Sequence, residues 1–497
     1  MHAHIQKMTA TLLLLWAEAT LGQSFDEYLI PTPGPLIQPP VTADVIPGAG
    51  DELLLFSQQG ELRYLHVYQW QATGFKARHT VALPAQYFAY DISSAEAGAQ
   101  QTLYLLASHA LARLALNEDT AQVQHLVEVN HLIREPKPPF IYRDRFLVAL
   151  PPAHPVAAFV PGFSSVQLVT GLAQAKPRIQ ALPITANVVM DDRGARYTPP
   201  ALFTAPLGAN TQQSVIWPAP GALRVFTPDA SHTFRPAPAV AIAPDIRGID
   251  WWFQRDERGE GLDQSNLTYR KLERVQDING DGRPDLVVRF TRSQGVLERV
   301  NDYEIYLGRT GEIAPLYYSE QPDSVVRADG TLTDFEFVDI QGDERPEILL
   351  SGFNIGLGQV IGALLSGSID QQVYLFAQDA QGNYGEQPAV QEQVTLKFSL
   401  SSGRSGSAVT LLADITGDGI KDLVLSKGAK TLEVYTGLAT GDLMAKKPAK
   451  FKTLLPEDGS QLNAADLNGD QKADLILSFG KLDAPEQLKT VKILITQ

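Results

Sequence analysis

With 497 residues the chain exceeds what one small core needs, and its 44% hydrophobic and 20% charged residues are those of a globular protein built from several domains or one large repeat array. Its 56 acidic against 41 basic residues leave a net charge of -15, which argues against nucleic acid as a partner and suits a protein that binds cations. No cysteine is present, which excludes disulfides, thiolate metal sites and cysteine nucleophiles.

The N-terminal stretch "MHAHIQKMTATLLLLWAEATLGQ" has a weakly basic start at Lys7, a short apolar run, and small residues at Ala17 and Ala19. That layout predicts a secretory signal over residues 1–22, cleaved after Ala19 or Gly22, and places the mature chain in the periplasm or outside the cell. The apolar run is too short to span a bilayer, and no later stretch reaches spanning length, so no membrane span is expected. A proline-rich segment follows over 23–40, with "PTPGPLIQPP" as its stiff core.

From residue 41 the pattern is β throughout. Short apolar runs such as "ELLLF", "TLYLLA", "DLVVRF", "EILLSGF", "DLVLS" and "DLILSF" alternate with Gly, Pro, Asn and Asp turn signals. Traces of an acidic turn leading into a strand occur at "DVIPGAGDELLLF" from Asp44, where Glu52 keeps the ninth position but Ile46 and Gly48 replace polar groups. Fainter traces follow from Asp91, near Asp144 and from Asp191. Trp251 and Trp252, with Arg255, Asp256, Glu257 and Arg258 after them, form an aromatic strand and charged hairpin that suits sugar stacking or acid–base work.

The turn becomes strong at "DINGDGRPDLVVRF" and recurs as "DIQGDERPEILL", "DITGDGIKDLVL" and "DLNGDQKADLIL". In the first copy Asp277, Asn279, Asp281 and Asp285 occupy positions 1, 3, 5 and 9, and odd positions of a tight loop converge. Carboxylates this close repel unless a cation lies among them, and hard oxygen donors at this density select Ca²⁺. The carbonyl of Arg283 at position 7 completes the expected ligand set. Two further copies offer Asp414, Thr416, Asp418 and Asp422 with the carbonyl of Ile420, and Asp466, Asn468, Asp470 and Asp474 with the carbonyl of Lys472. In the remaining copy, Asp339, Gln341, Asp343 and Glu347 form a weaker set, with Glu344 at position 6 instead of glycine. An EF-hand loop begins in the same way but needs a glutamate at position 12, where Val288, Leu425 and Leu477 stand. The alternative to calcium is an acidic turn capped by its own Asx hydrogen bonds.

Recurrence of these turns implies stacked or radially arranged units, because one unit cannot bury its own apolar face. The pattern D-x-N-G-D-G-x-x-D-L-x-V, from about residue 275 to 497, resembles the FG-GAP (or VCBS) repeat family, whose relatives include the integrin α-subunit head. The resemblance implies an all-β fold, a β-propeller of four-stranded blades over 41–497. Seven blades are the leading expectation and eight the alternative, with calcium in the turn before an inner strand. The histidines (His66, His79, His109, His125, His131, His154 and His232 beyond the leader) are expected at surface or turn positions. The composite expectation is an exported, calcium-stabilised binding or scaffold module for a protein or glycan. The alternative is a secreted propeller enzyme, a lyase or hydrolase acting on polysaccharide.

Overall fold

Strands in this chain differ in how completely they are buried, and the difference sets the architecture. Glu52–Gln59 is buried over its first six residues and Asp474–Leu477 over its whole length, whereas Ala121–Glu128 has no buried residue. A continuous apolar run is buried on both faces because a neighbouring sheet lies on each side. An outer strand meets solvent and tolerates polar residues. The computed structural model describes residues 24–497 except 96–98, 118, 135–139, 175, 192–193, 208–211, 257, 296–297, 312–315, 329–330, 354–365 and 400–403. The expected signal over 1–22 lies outside the described residues.

The fold is all-β. Among the described residues the regular elements comprise thirty-seven strands and four short 3-10 turns. Most strands group into antiparallel sets of four consecutive strands, over 41–83, 87–128, 147–182, 203–241, 267–326, 331–399 and 410–452, and one parallel pair, Asn301↔Thr331, links the sets of 267–326 and 331–399. An eighth unit combines the three strands of 462–496 with Phe25–Pro31, which pairs antiparallel with Thr490–Thr496 from Phe25↔Thr496 to Pro31↔Thr490. The proline-rich segment thus begins with a strand of the last unit, and Pro31 ends the pairing.

Apolar clusters join each unit to the next. Leu54 and Phe56 of the first sheet pack with Leu103 and Leu105 of the second, and Val424 and Leu432 of the seventh with Leu475 and Leu494 of the eighth. One further cluster closes the series, bringing Ile476, Ile493 and Ile495 of the last unit against Leu53 and Leu55 of the first. Each such side chain, fully buried, contributes about 1.5–3 kcal/mol, so the sheets depend on their neighbours more than on their own hydrogen bonds.

The units also sort the faint sequence traces. The turn from Asp44 lies between the first and second strands of its sheet, as do the four strong turns, whereas Asp91 itself belongs to a first strand, Tyr87–Ile92. The stretches near Asp144 and from Asp191 instead precede first strands, Leu147–Leu150 and Phe203–Pro206, and are not equivalent to the others. Two histidines depart from the expected surface placement. His66 is buried in the strand Leu62–Gln71, where its ring links Ser57 Oγ (2.8 Å) and Thr80 Oγ1 (3.0 Å) across three strands. His131 is buried too, its Nδ1 accepting the N–H of Ile133. Burial lowers the pKa of both, that of His131 to about 4, and a neutral imidazole serves as a hydrogen-bonding core residue.

Candidate metal loops

All four strong turns share one internal geometry. The position 1 carboxylate turns back over its own loop: Asp414 Oδ1 accepts the N–H groups of Gly417 (2.6 Å) and Asp418 (3.2 Å), while Oδ2 accepts that of Gly419 (2.8 Å). Asp466 repeats this with Gly469, Asp470 and Gln471, and Asp339 with Gly342, Asp343 and Glu344. Asp277 accepts from Asp281 and Gly282. At position 5, Asp281, Asp343, Asp418 and Asp470 each accept the N–H of position 7. These Asx bonds curl the backbone and leave the polar side chains of positions 1, 3 and 5 on an exposed turn. Position 6 is left-handed in every copy, with φ of 78° at Gly282, 64° at Glu344, 84° at Gly419 and 71° at Gln471.

The ninth position behaves differently. Its acid was expected to close the ion site, yet it is buried and faces the backbone. Asp285 Oδ2 accepts Ile278 N–H (2.9 Å) and Oδ1 accepts Gly308 N–H (2.7 Å). Asp422 holds Ile415, Thr416 and Gly437, and Asp474 holds Leu467 and Thr496. Glu347 reaches Ile340 N–H. Even in the turn from Asp44, Glu52 Oε2 accepts Val45 and Ile46 N–H, and Oε1 accepts Gln69 Nε2. The acid therefore pins the start of the turn to the second strand, and in three copies also ties in a later residue of the unit. Burial pushes Asp285 and Asp474 up to about 7 against the pull of these amides, and the acids at positions 5 and 1 push the same way.

The ninth acid turns inward, so the carboxylates on the exposed side of each loop are those of positions 1 and 5, beside the Asn, Thr or Gln of position 3. Among the described residues no group of three or more His, Asp or Glu is drawn together tightly enough to hold a metal ion. The donor chemistry of positions 1, 3 and 5 still fits a hard cation, since Oδ2 of Asp414 and of Asp466 accepts a single N–H and keeps a second lone pair. At the weaker loop Gln341 instead donates Nε2 to Leu438 O (2.6 Å) in the neighbouring unit, and its amide is engaged elsewhere.

Consecutive turns also touch. Lys421, at position 8 of its loop, donates its N–H to Ile340 O (3.0 Å) and Nζ to Asp339 O (2.6 Å). Ala473, again position 8, donates to Asp414 O (2.6 Å), and Asp51 of the first unit donates to Asp466 O (2.7 Å). The chain of contacts runs 339, 414, 466, 44 across the closure between the last and first units. It stops at the loop from Asp339, whose position 8 is Pro346 and has no N–H to offer the loop at Asp277. Sequence reading missed Gly308 and Gly437, the partners of the ninth acid. A Cβ would lie 2.5 Å from Pro284 O at the first and 2.4 Å from Lys421 O at the second, and the recurring Tyr-x-Gly of "YLGR" and "YTGL" was the available signal.

The charged hairpin after the tryptophans is less open to chemistry than its composition suggested. Trp251 and Trp252 meet edge to face at 5.5 Å, Arg255 donates to Trp252 O and Gln254 O, and Asp256 caps its own turn through Arg258 and Glu260 N–H. Glu257 lies outside the described residues.

Residues 414–477 match the FG-GAP-like repeat. No curated protein matches the chain. Among solved structures, a putative 6-phosphogluconolactonase from Bacteroides uniformis is similar at 12% identity over 79% of this chain and 95% of that one, with a TM-score of 0.38. The periplasmic gluconolactonase of Pseudomonas aeruginosa is similar at 15% identity over 69% and 85%, with a TM-score of 0.34. A protein from Lactobacillus plantarum is similar at 13% identity over 69% and 82%, with a TM-score of 0.36. These likenesses are too loose to fix the chemistry of this chain. No helix among the described residues is long and apolar enough to cross a membrane.

Proposed function

We propose that the chain is an exported, calcium-stabilised β-propeller, of eight blades where seven were the leading expectation, that acts as a binding or scaffold module for a protein or glycan. The observation that carries this reading is the recurrence of one acidic turn, with the same internal hydrogen bonds, between the first and second strands of successive sheets that hand on to one another. Positions 1, 3 and 5 of the loops at Asp277, Asp414 and Asp466 hold the ion, with the carbonyls of Arg283, Ile420 and Lys472, and the loop at Asp339 holds it weakly. When bound, the ion supplies positive charge where carboxylates crowd, and so fixes the corner from which a buried strand departs. The ninth acids, Asp285, Asp422 and Asp474, support the loop from beneath.

A binding role is supported by open, polar clefts between sheets. One of about 630 Å³ is lined by Asp323, Arg327, Tyr384, Glu386 and Gln391, groups suited to recognition by hydrogen bonds. The test is a melting curve of the mature chain with calcium and with EDTA, joined to ion counting by calorimetric titration. Extracellular calcium modules bind at about 10⁻⁴–10⁻³ M, and at tenfold above Kd each occupied site adds about 1.4 kcal/mol. Several degrees of calcium-dependent stabilisation are expected. A melting curve indifferent to EDTA overturns the ion assignment.

A further inference from the structure

The interface between the sheets of 267–326 and 331–399 opens at one end into a cleft of about 360 Å³. Apolar side chains join the sheets elsewhere along this interface, but the cleft carries charges. Lys271 and Glu273, two residues apart on the strand Leu267–Gln276, meet Asp250 and Arg289 there. Arg289 pairs with Asp250 and, at 2.8 Å, with Glu273; Lys271 pairs with Glu273 at 3.0 Å and with Asp250 at 3.4 Å. Two acids and two bases thus neutralise each other in a closed set. Arg274 and Asp334 add one charge of each sign to the lining.

An aromatic wall completes the cleft. Trp252 is 45% exposed, and its neighbours hold it in place: Trp251 meets it edge to face, and the Arg289 guanidinium lies over one face of the ring, 5.6 Å from its centroid, which leaves the other face for a ligand. The opposite wall has Asp334 in a left-handed conformation (φ 55°) that aspartate adopts only at a cost, its carboxylate accepting from Thr333 Oγ1 at 3.0 Å.

We infer that this cleft binds a neutral carbohydrate, an inference that rests on reading the chain as a binding module and names its ligand class. A charged ligand would have to break an ion set that is already balanced, at a cost in buried charge. A wholly apolar ligand would cover carboxylates and guanidinium groups without satisfying them. A sugar hydroxyl donates and accepts at once, so a ring of hydroxyls can use the free lone pairs of Asp250 and Glu273 and the N–H groups of Arg289 without displacing either partner. The apolar face of a sugar ring matches the exposed indole. The volume falls within the range of small-ligand clefts, about 300–1,000 Å³.

The experiment is calorimetric titration of the full mature chain, in calcium, with a panel of neutral oligosaccharides (gluco-, xylo-, manno- and chito-oligomers). Parent, Trp252→Ala and Trp252→Phe are compared, with a melting curve for each. At least one oligosaccharide should bind the parent. Trp252→Ala should weaken it tenfold or more with an unchanged melting temperature, and Trp252→Phe should restore most of the affinity. No binding across the panel, or binding unaffected by Trp252→Ala, overturns the cleft. A protein captured by the same chain in a pull-down would then leave the binding-module reading standing without it.

Discussion

The turn from Asp44 and the turn from Asp466 sit side by side across the closure of the chain, joined by the hydrogen bond from Asp51 N–H to Asp466 O. One retains polar groups at positions 3 and 5, Asn468 and Asp470; the other has Ile46 and Gly48 there. Both keep a buried ninth acid, and in both it accepts the N–H that follows position 1. What the two share is the support of the strand, and what only one has is the donor set for an ion. The repeat therefore combines two devices, a buried acid that orders the backbone and an exposed cluster that suits a cation, and erosion of the second leaves the first in place.

The largest effect should come from breaking the shared device. Asp474→Ala strands the N–H groups of Leu467 and Thr496, and Glu52→Ala strands those of Val45 and Ile46. An unsatisfied buried amide costs about 1–3 kcal/mol, so each substitution, which strands two, should destabilise by about 2–6 kcal/mol, read as a drop in the urea midpoint with EDTA present throughout. Comparable losses are expected. A mild Glu52→Ala beside a severe Asp474→Ala would mean that the ninth acid matters only where an ion binds, and the division into two devices would fail.

A smaller effect should separate the loops by their donors. Asp281→Ala and Asp470→Ala each remove a position 5 carboxylate from a fuller set, and each should lose one bound ion and about 1.4 kcal/mol of calcium-dependent stability at tenfold above Kd. Asp343→Ala acts where Gln341 already faces Leu438 O, and should change ion stoichiometry and stability much less. Calorimetric titration of the three variants beside the parent reads this directly. Equal loss of one ion in all three would show that glutamine and glutamate serve as well as asparagine and aspartate.

Much of this was legible in the residues, for identifiable reasons. The buried runs "DLVVRF" and "DLILSF" announce inner strands because apolar continuity has few other uses in a turn-rich chain. The spacing of Asp277, Asn279, Asp281 and Asp285 announces a tight loop. The direction in which Asp285 points was not legible, since a ninth-position acid looks the same whether it faces an ion or two amides. Which way it turns depends on Gly308, twenty-three residues on. The pairing of Phe25–Pro31 with the last strand was equally hidden, because a short strand ahead of a proline-rich stretch carries no mark of a partner more than 450 residues away. The charges of the Trp252 cleft had a faint signal in Lys271 and Glu273, which lie two residues apart on one strand and pair with each other, but Asp250 and Arg289, which complete the set, come from separate elements.

The smallest effect tests whether position 6 distinguishes the loops at all. Glu344 reads as a mark of erosion because glycine stands there in the loops at Asp277 and Asp414, yet Gln471 occupies the same place in a loop with a full donor set. Both non-glycine residues adopt the left-handed conformation of their glycine counterparts, at 64° and 71°. An L-residue there costs about 1–2 kcal/mol, while glycine returns about 0.4–1 kcal/mol to the unfolded chain. Glu344→Gly and Gln471→Gly should therefore each raise stability by up to about 1 kcal/mol, and by similar amounts, in EDTA. Similar gains would remove position 6 from the criteria for an intact loop and leave positions 3 and 5 to decide. A gain at Gln471 with a loss at Glu344 would mean that the Glu344 side chain has a role of its own in the weaker loop, and that the loop differs from its neighbours by more than its donors.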